Sequence, residues 1–260
     1  MNYISLDYTD VAIALIFILI PVAISLQSSL GIARDILTGT FRTFAQLLMI
    51  GYVLRFIFNV RKWYFVLFLI VVMTLIAGYN AVKRQHVKIP GLFPIITISI
   101  FTGAVITVLP LMLIILRAPL WYEPQYLIPL CGMMLGNAMN AAALSVDRLV
   151  GEARNRRTEV EAALALGASP FQSIIPLLRE AARAAMMPTI NAMMVVGIVQ
   201  LPGMMTGQII GGVAPEQSVR YQIIIMYMLA ASVTVSCMMT LFLLYRRLYT
   251  PEEQLRIDML

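Results

Sequence analysis

The chain has 260 residues, of which 60% are hydrophobic and 12% charged, and it carries a formal net charge of +6; its mean hydropathy is +0.86. A soluble domain is about half apolar and about a quarter charged, so this chain has too little polar surface to coat a water-exposed globule. That excludes a soluble enzyme, a disordered chain and a secreted disulfide scaffold, and leaves an all-α polytopic membrane protein.

A helix needs about 20 apolar residues to cross a hydrocarbon core of about 30 Å. Continuous runs of that kind predict seven spans, over residues 8–30, 37–58, 63–82, 89–116, 125–146, 188–212 and 221–245. The first is preceded by Asp7 with no Lys or Arg before it, so it reads as a retained span rather than a cleaved leader. Basic residues then orient the set. One side carries Arg34, Lys83, Arg84 and Lys88, the arginines of 147–187, and Arg246, Arg247 and Arg256. The other has Arg117 and Arg220, with Arg61 and Lys62 as the exception. The bias places the N-terminus outside and the C-terminus in the cytoplasm. The net positive charge is explained by this bias and does not indicate nucleic acid. The whole of 1–260 reads as one transmembrane domain in a cell (plasma or inner) membrane.

Between the fifth and sixth spans lies one long polar segment, 147–187, with the pattern of two amphipathic helices. The first is expected over 151–166, with Val160, Ala163 and Leu164 on one face and Glu152 and Arg156 paired four residues apart. Gly167 suits a left-handed stop. Ser169 is a natural N-cap and Pro170 fits the first helical position. Phe171, Ile174, Leu178, Ala181 and Ala185 then line one face of a second helix. The pattern is a tight elbow on the cytoplasmic side.

Glu161-Ala162-Ala163, Gly167 and Pro176 resemble the coupling motif of ATP-binding-cassette permeases, with the proline closer to the glycine than in importers. Further along, Gly132-Met133-Met134-Leu135-Gly136-Asn137-Ala138-Met139-Asn140, Leu201-Pro202-Gly203-Met204-Met205-Thr206-Gly207 and Tyr221-Gln222-Ile223 are similar to the FetB-type permease family. Gln46-Leu47 and Gly51-Tyr52-Val53-Leu54 extend the resemblance, which covers nearly the whole chain. It implies a permease subunit of an exporter of iron, or of another metal or its complex. It also implies a homodimer of permeases working with two copies of a separate cytoplasmic ATPase subunit. In that assembly Glu161, Ala162, Ala163, Gly167, Ser169, Pro170 and Pro176 would form the elbow that meets the ATPase.

The residues support a split assembly independently. No Gly-x4-Gly-Lys-Ser/Thr phosphate loop is present, and the last lysine of the chain is Lys88. ATP and magnesium are therefore expected on the partner and no cofactor or catalytic residue on this chain, which reads as a non-enzyme.

Polar residues inside a bilayer are costly and each needs a reason. Asn137, Asn140, Asn191, Gln200 and Gln208 gather on the fifth and sixth spans, either lining a pathway or bonding between helices. Pro202 removes a backbone hydrogen bond, so 200–208, with Gly203, Met204 and Met205, is expected to be a gate or substrate-facing break. Gly132 with Gly136, and Gly203 with Gly207 and Gly211, are small-residue ladders suited to helix packing. Methionines crowd the same spans, as apolar filling or as soft ligands. With His86 in a basic loop and no carboxylate deep in a span, a metal site is not defined. An ATP-independent secondary transporter or channel is the alternative function.

Overall fold

The computed structural model describes residues 7–85, 87, 89–117 and 120–256. Ten helices are formed there: α1 Tyr8–Ala14, α2 Ile16–Gln27, α3 Ala33–Val60, α4 Trp63–Lys83, α5 Leu92–Pro110, α6 Pro124–Asn155, α7 Arg157–Ala165, α8 Pro170–Val195, α9 Gly203–Ile210 and α10 Pro215–Tyr245. A π-turn, Leu111–Ile115, extends α5. The described residues contain no strands, only two isolated bridges. The solvated-loop reading of His86 concerns a residue outside those described.

Among the described residues, six helical stretches are long and apolar enough to cross a membrane: Tyr8–Gln27, Ala33–Val60, Trp63–Lys83, Leu92–Ile115, Pro124–Asn155 and Pro215–Tyr245. The expected sixth span, 188–212, is not among them. Its residues are divided between the second half of α8, a non-helical loop over 196–202 and the eight-residue α9. The cause is local. Gly197 adopts a left-handed φ of 84°, and Pro202 has no N–H to offer a helix.

The elbow segment also differs in its edges. α6 does not stop at 146 but runs on to Asn155, and Arg156 (φ −109°, ψ 28°) separates it from α7. The expected 151–166 helix is thus the tail of one helix and the whole of another.

The chain divides into two compact units, one comprising 1–62 with 210–212, the other 63–209 with 213–260. In the first, α2 packs along α3, and Ser25 and Ile57 are its buried helical residues. Phe17, Phe41 and Tyr52 are exposed, as apolar groups meeting lipid would be. The second holds the core, where α10 packs on α5, α6 and α8, and α6 on α4, α5 and α8. Leu92, Ile96, Leu130, Met134, Leu149, Ile174, Leu177 and Leu241 are almost fully enclosed there.

Two glycines permit the closest approaches in this core. A Cβ added at Gly78 would collide with the Thr97 side chain, and one at Gly103 with Ser236 Oγ and, at 2.7 Å, with the Ser232 carbonyl oxygen. α4 and α10 therefore reach α5 at glycines outside the expected ladders. Of the ladder residues, Gly132 would meet Met73 Cε at 3.2 Å, while Gly136, Gly203 and Gly207 face open space within this chain. Gly211 lies in the turn after α9.

Candidate functional site

The break between α8 and α9 bonds much of its own backbone. Val196 donates to the Ala192 carbonyl at 3.1 Å, Val199 donates to Val195 at 3.0 Å, and Gly197 donates to Gln200 at 2.9 Å. On the far side of Pro202, Thr206 turns both its N–H (3.0 Å) and its Oγ1 (3.1 Å) onto the Pro202 carbonyl. Non-helical backbone at membrane depth is tolerated where it is protein-buried or lines a cavity. This loop lines one.

The cavity has a volume of about 300 Å³ and is walled by α6, α8, the 196–202 loop, the start of α9, and α10. Six residues singled out above line it: Asn137, Asn140, Gln200, Pro202, Gly203 and Met204. Asn137 Nδ2 donates to the Met133 carbonyl of its own helix at 2.9 Å. Asn140 instead accepts from the Arg84 guanidinium at 3.3 Å, which brings a cation from the end of α4 to the cavity wall. Met133, Met204 and Met226 add thioethers, and no carboxylate or histidine is among the lining residues. The described residues contain no group of three or more His, Cys, Asp or Glu side chains able to hold a metal.

The other candidates go elsewhere. Asn191 lines a recess of about 580 Å³ with Arg148, Glu180, Arg183 and Met187. Met205 lines a third recess, with Met193, Gln222 and Tyr227. Gln208 sits on α9 with its Oε1 buried and unpartnered. Gln222, which the sequence offered only as part of the family resemblance, was not among the pathway candidates. It is 6% exposed, its Oε1 is buried without a partner, and it borders both the Asn137 cavity and the Met205 recess. Its signal was an amide two turns into an apolar helix.

The elbow is built by end-capping. Gly167 has a φ of 90°. Its N–H donates to Leu164 at 2.9 Å and that of Ala168 to Ala163 at 3.0 Å, the paired bonds of a Schellman stop. Ser169 then caps α8. Its Oγ accepts from the Gln172 N–H at 3.3 Å, and its own N–H donates to Gln172 Oε1 at 2.9 Å. Pro170 occupies the first turn, and Pro176 lies exposed inside α8 without ending it. The tip is bare: Ala162, Ala165, Gly167 and Ser169 are exposed, and Leu166 is 89% exposed.

Ion pairs brace the base of the elbow. Arg156 does not pair with Glu152; it forks between Glu159 (2.7 Å) and Glu180 (3.0 Å), tying α7 to α8. The Arg156 guanidinium holds the Glu159 carboxyl below its ordinary range, chiefly through that hydrogen bond. Glu161 pairs with Arg157 at 2.7 Å on its own helix. The chain end packs beneath, where Leu248, Tyr249 and Leu255 are buried and Tyr249 and Ser173 share a hydrogen bond of 2.9 Å. Burial pushes the Tyr249 hydroxyl above its ordinary pKa. Glu252 and Glu253 thereby join Glu161, Ser169 and Gln172 around a notch beside the elbow.

Residues 8–249 match the family described as "Uncharacterised protein family (UPF0014)". Among similar proteins, the "Probable iron export permease protein FetB" of Escherichia coli is 34% identical over 260 residues, covering 100% of this chain and 99% of that protein. The "UPF0014 membrane protein YjkA" of Bacillus subtilis is 35% identical, over 96% of this chain and 99% of its own length. The "Protein ALUMINUM SENSITIVE 3" of Arabidopsis thaliana is 32% identical, over 94% and 88%. No solved structure matches the chain with significance.

Proposed function

The chain belongs to the UPF0014 family and is a multi-pass membrane protein; on that premise we propose that it is the permease subunit of an ATP-binding-cassette exporter in the cell membrane. A separate cytoplasmic ATPase would drive it, and iron, another metal or a metal complex would be its cargo. The observation that carries this reading is the elbow. A glycine-stopped helix, an exposed Leu166 and a doubly capped second helix present a small rigid knob, and the Arg156–Glu180 ion pair to α8 can pass its displacement to the cavity-lining half of that helix. A chain without a phosphate loop needs such a handle if ATP is to move it.

Export of iron is the function printed in the name of the Escherichia coli relative, and a cavity without acidic ligands favours transient passage over tight chelation. A homodimer is supported by Gly136 and Gly207, whose open faces suit a second copy.

The test is co-purification of the tagged chain with ATP-binding-cassette ATPases of the same cell, followed by ATP-dependent iron transport in inside-out vesicles. Gly167→Asp and Glu161→Arg are expected to cut association or uncouple hydrolysis from transport. Unchanged association and transport in both variants, or transport at full rate without ATP, would overturn the proposal in favour of a secondary transporter or channel.

A further inference from the structure

We infer that the mouth of the pathway selects an anionic, oxygen-bearing solute, such as a metal ion wrapped by a polycarboxylate, and turns away the bare cation. The recess that holds Asn191 also holds Arg148 and Arg183. Pro188 forms part of its wall and part of the wall of the Asn137 cavity, so the two spaces adjoin along α8. On α6, Arg148 lies two turns, ~12 Å, beyond Asn140. Asn140 itself accepts from Arg84 at 3.3 Å. Two guanidinium groups therefore line the recess, and a third is bonded to an amide of the adjoining cavity wall.

The opposing charge is already engaged. Glu180 is the one carboxylate in the recess, and it is bonded to Arg156 at 3.0 Å. Asp147 precedes Arg148 in the chain but does not line the recess. Neither Arg148 nor Arg183 belongs to an ion pair among the described residues. A divalent cation entering here meets positive charge with no free carboxylate to receive it. A citrate-like anion meets two planar forks suited to carboxylate oxygens, with the amides of Asn191, Asn140 and Asn137 further in. The side-chain amides and thioethers of the cavity can surround such a complex without stripping its metal.

The inference names a substrate class for the permease reading and rests on it for the direction of entry. Its test needs no ATPase, so the two fail separately. The full chain is placed in phosphatidylcholine nanodiscs and titrated calorimetrically with ferric citrate, with citrate alone and with Fe(II) under reducing conditions. Ferric citrate and citrate are expected to bind with an affinity that falls as salt is raised, and Fe(II) to bind far more weakly. Arg148→Gln and Arg183→Gln should each weaken citrate binding about tenfold, the loss of one charge-assisted hydrogen bond. Arg183→Lys keeps the charge without the planar fork and should recover only part of the affinity lost in Arg183→Gln, and the thermal midpoint of each variant checks folding. Fe(II) binding as tightly as ferric citrate in the wild-type protein overturns the inference, whatever the variants do. So does wild-type affinity for ferric citrate in the folded double glutamine variant. A parallel titration in discs containing phosphatidylglycerol separates the remaining source of the same chemistry. Arginine-dependent retention of that lipid, with ferric citrate excluded, would make the recess a headgroup site and overturn the solute assignment.

Discussion

Substituting Gly167 separates two reasons for a glycine at the elbow. Its φ of 90° lies in the left-handed region, while a Cβ built there meets nothing within 4 Å. Conformation, not crowding, is what an alanine would disturb. Holding an ordinary residue in that region costs about 1–2 kcal/mol, a factor of about 5–30 in a two-state equilibrium. The cost falls on the two bonds that close the elbow, Gly167 to Leu164 and Ala168 to Ala163. Asparagine tolerates left-handed backbone better than alanine does, and a β-branched residue tolerates it worst. The expected order of elbow integrity is therefore Gly, Asn, Ala, Val. Hydrogen exchange at the amides of 167 and 168 should rise by about 5–30-fold in Gly167→Ala, and ATPase retained at limiting concentration should fall in the same order. Gly167→Ala retaining the partner while Gly167→Asn loses it would refute the reasoning. That order would mean the glycine is there because the partner comes too close for a side chain.

Gly103→Val should destabilise the detergent-solubilised chain by about 1–3 kcal/mol through overpacking against Ser232 and Ser236, whereas Gly136→Ala, inside α6 with room for a Cβ within this chain, should not lower the thermal midpoint and gains up to about 1 kcal/mol of helix stability. Tyr249→Phe should cost about 0.5–1.5 kcal/mol, read as the midpoint of chain-end detachment by hydrogen exchange at 248–256. The same contact predicts an alkaline limit. With the folded Tyr249 pKa raised above its ordinary 10.0, its contribution is complete below pH 10 and lost as pH rises through the raised value. Glu159 sets the opposite limit. Its folded pKa lies below the ordinary 4.5, so its bracing of α7 is complete above that pH and lost as pH falls through the lowered value; Arg156→Gln should abolish this acid dependence in an exchange profile of 157–165. Pro202→Ala should let α9 extend backwards and reduce ATP-coupled transport; full transport by that variant would remove the break from the mechanism.

The parts of the elbow legible in the sequence are those determined by neighbours within four residues. Gly167, Ser169 and Pro170 signalled a stop and a cap because both are made by bonds across three to five positions. Edges were not legible where hydropathy stood in for helicity. Hydropathy marks where lipid begins, and a helix crosses that boundary whenever its backbone bonds continue. α6 therefore runs on through Asp147 and Arg148 to Asn155, and α8 passes through Pro176 and Pro188 into the stretch assigned to a separate span. Gly197 and Pro202 together decided the sixth span, and only the proline was weighed.

The cavity shows how far such reading carries and why it stops. Asn137, Asn140 and Gln200 stood out because an amide in an apolar run is locally anomalous. Their meeting depends on α6, α8 and α10 packing together, which no spacing within one helix specifies. Gln222 is as anomalous as they are, yet it matters only because α10 presents it to that junction. Arg84 is 56 residues from Asn140 in sequence and looked like one more positive-inside charge. The same holds for Arg148 and Arg183: in the sequence they were counts toward an expected orientation, and in space they line the recess that shares Pro188 with the cavity. A charge retained for topology costs nothing further when it also selects what enters. On the proposed reading, the few charges of this apolar chain serve both its orientation and its specificity.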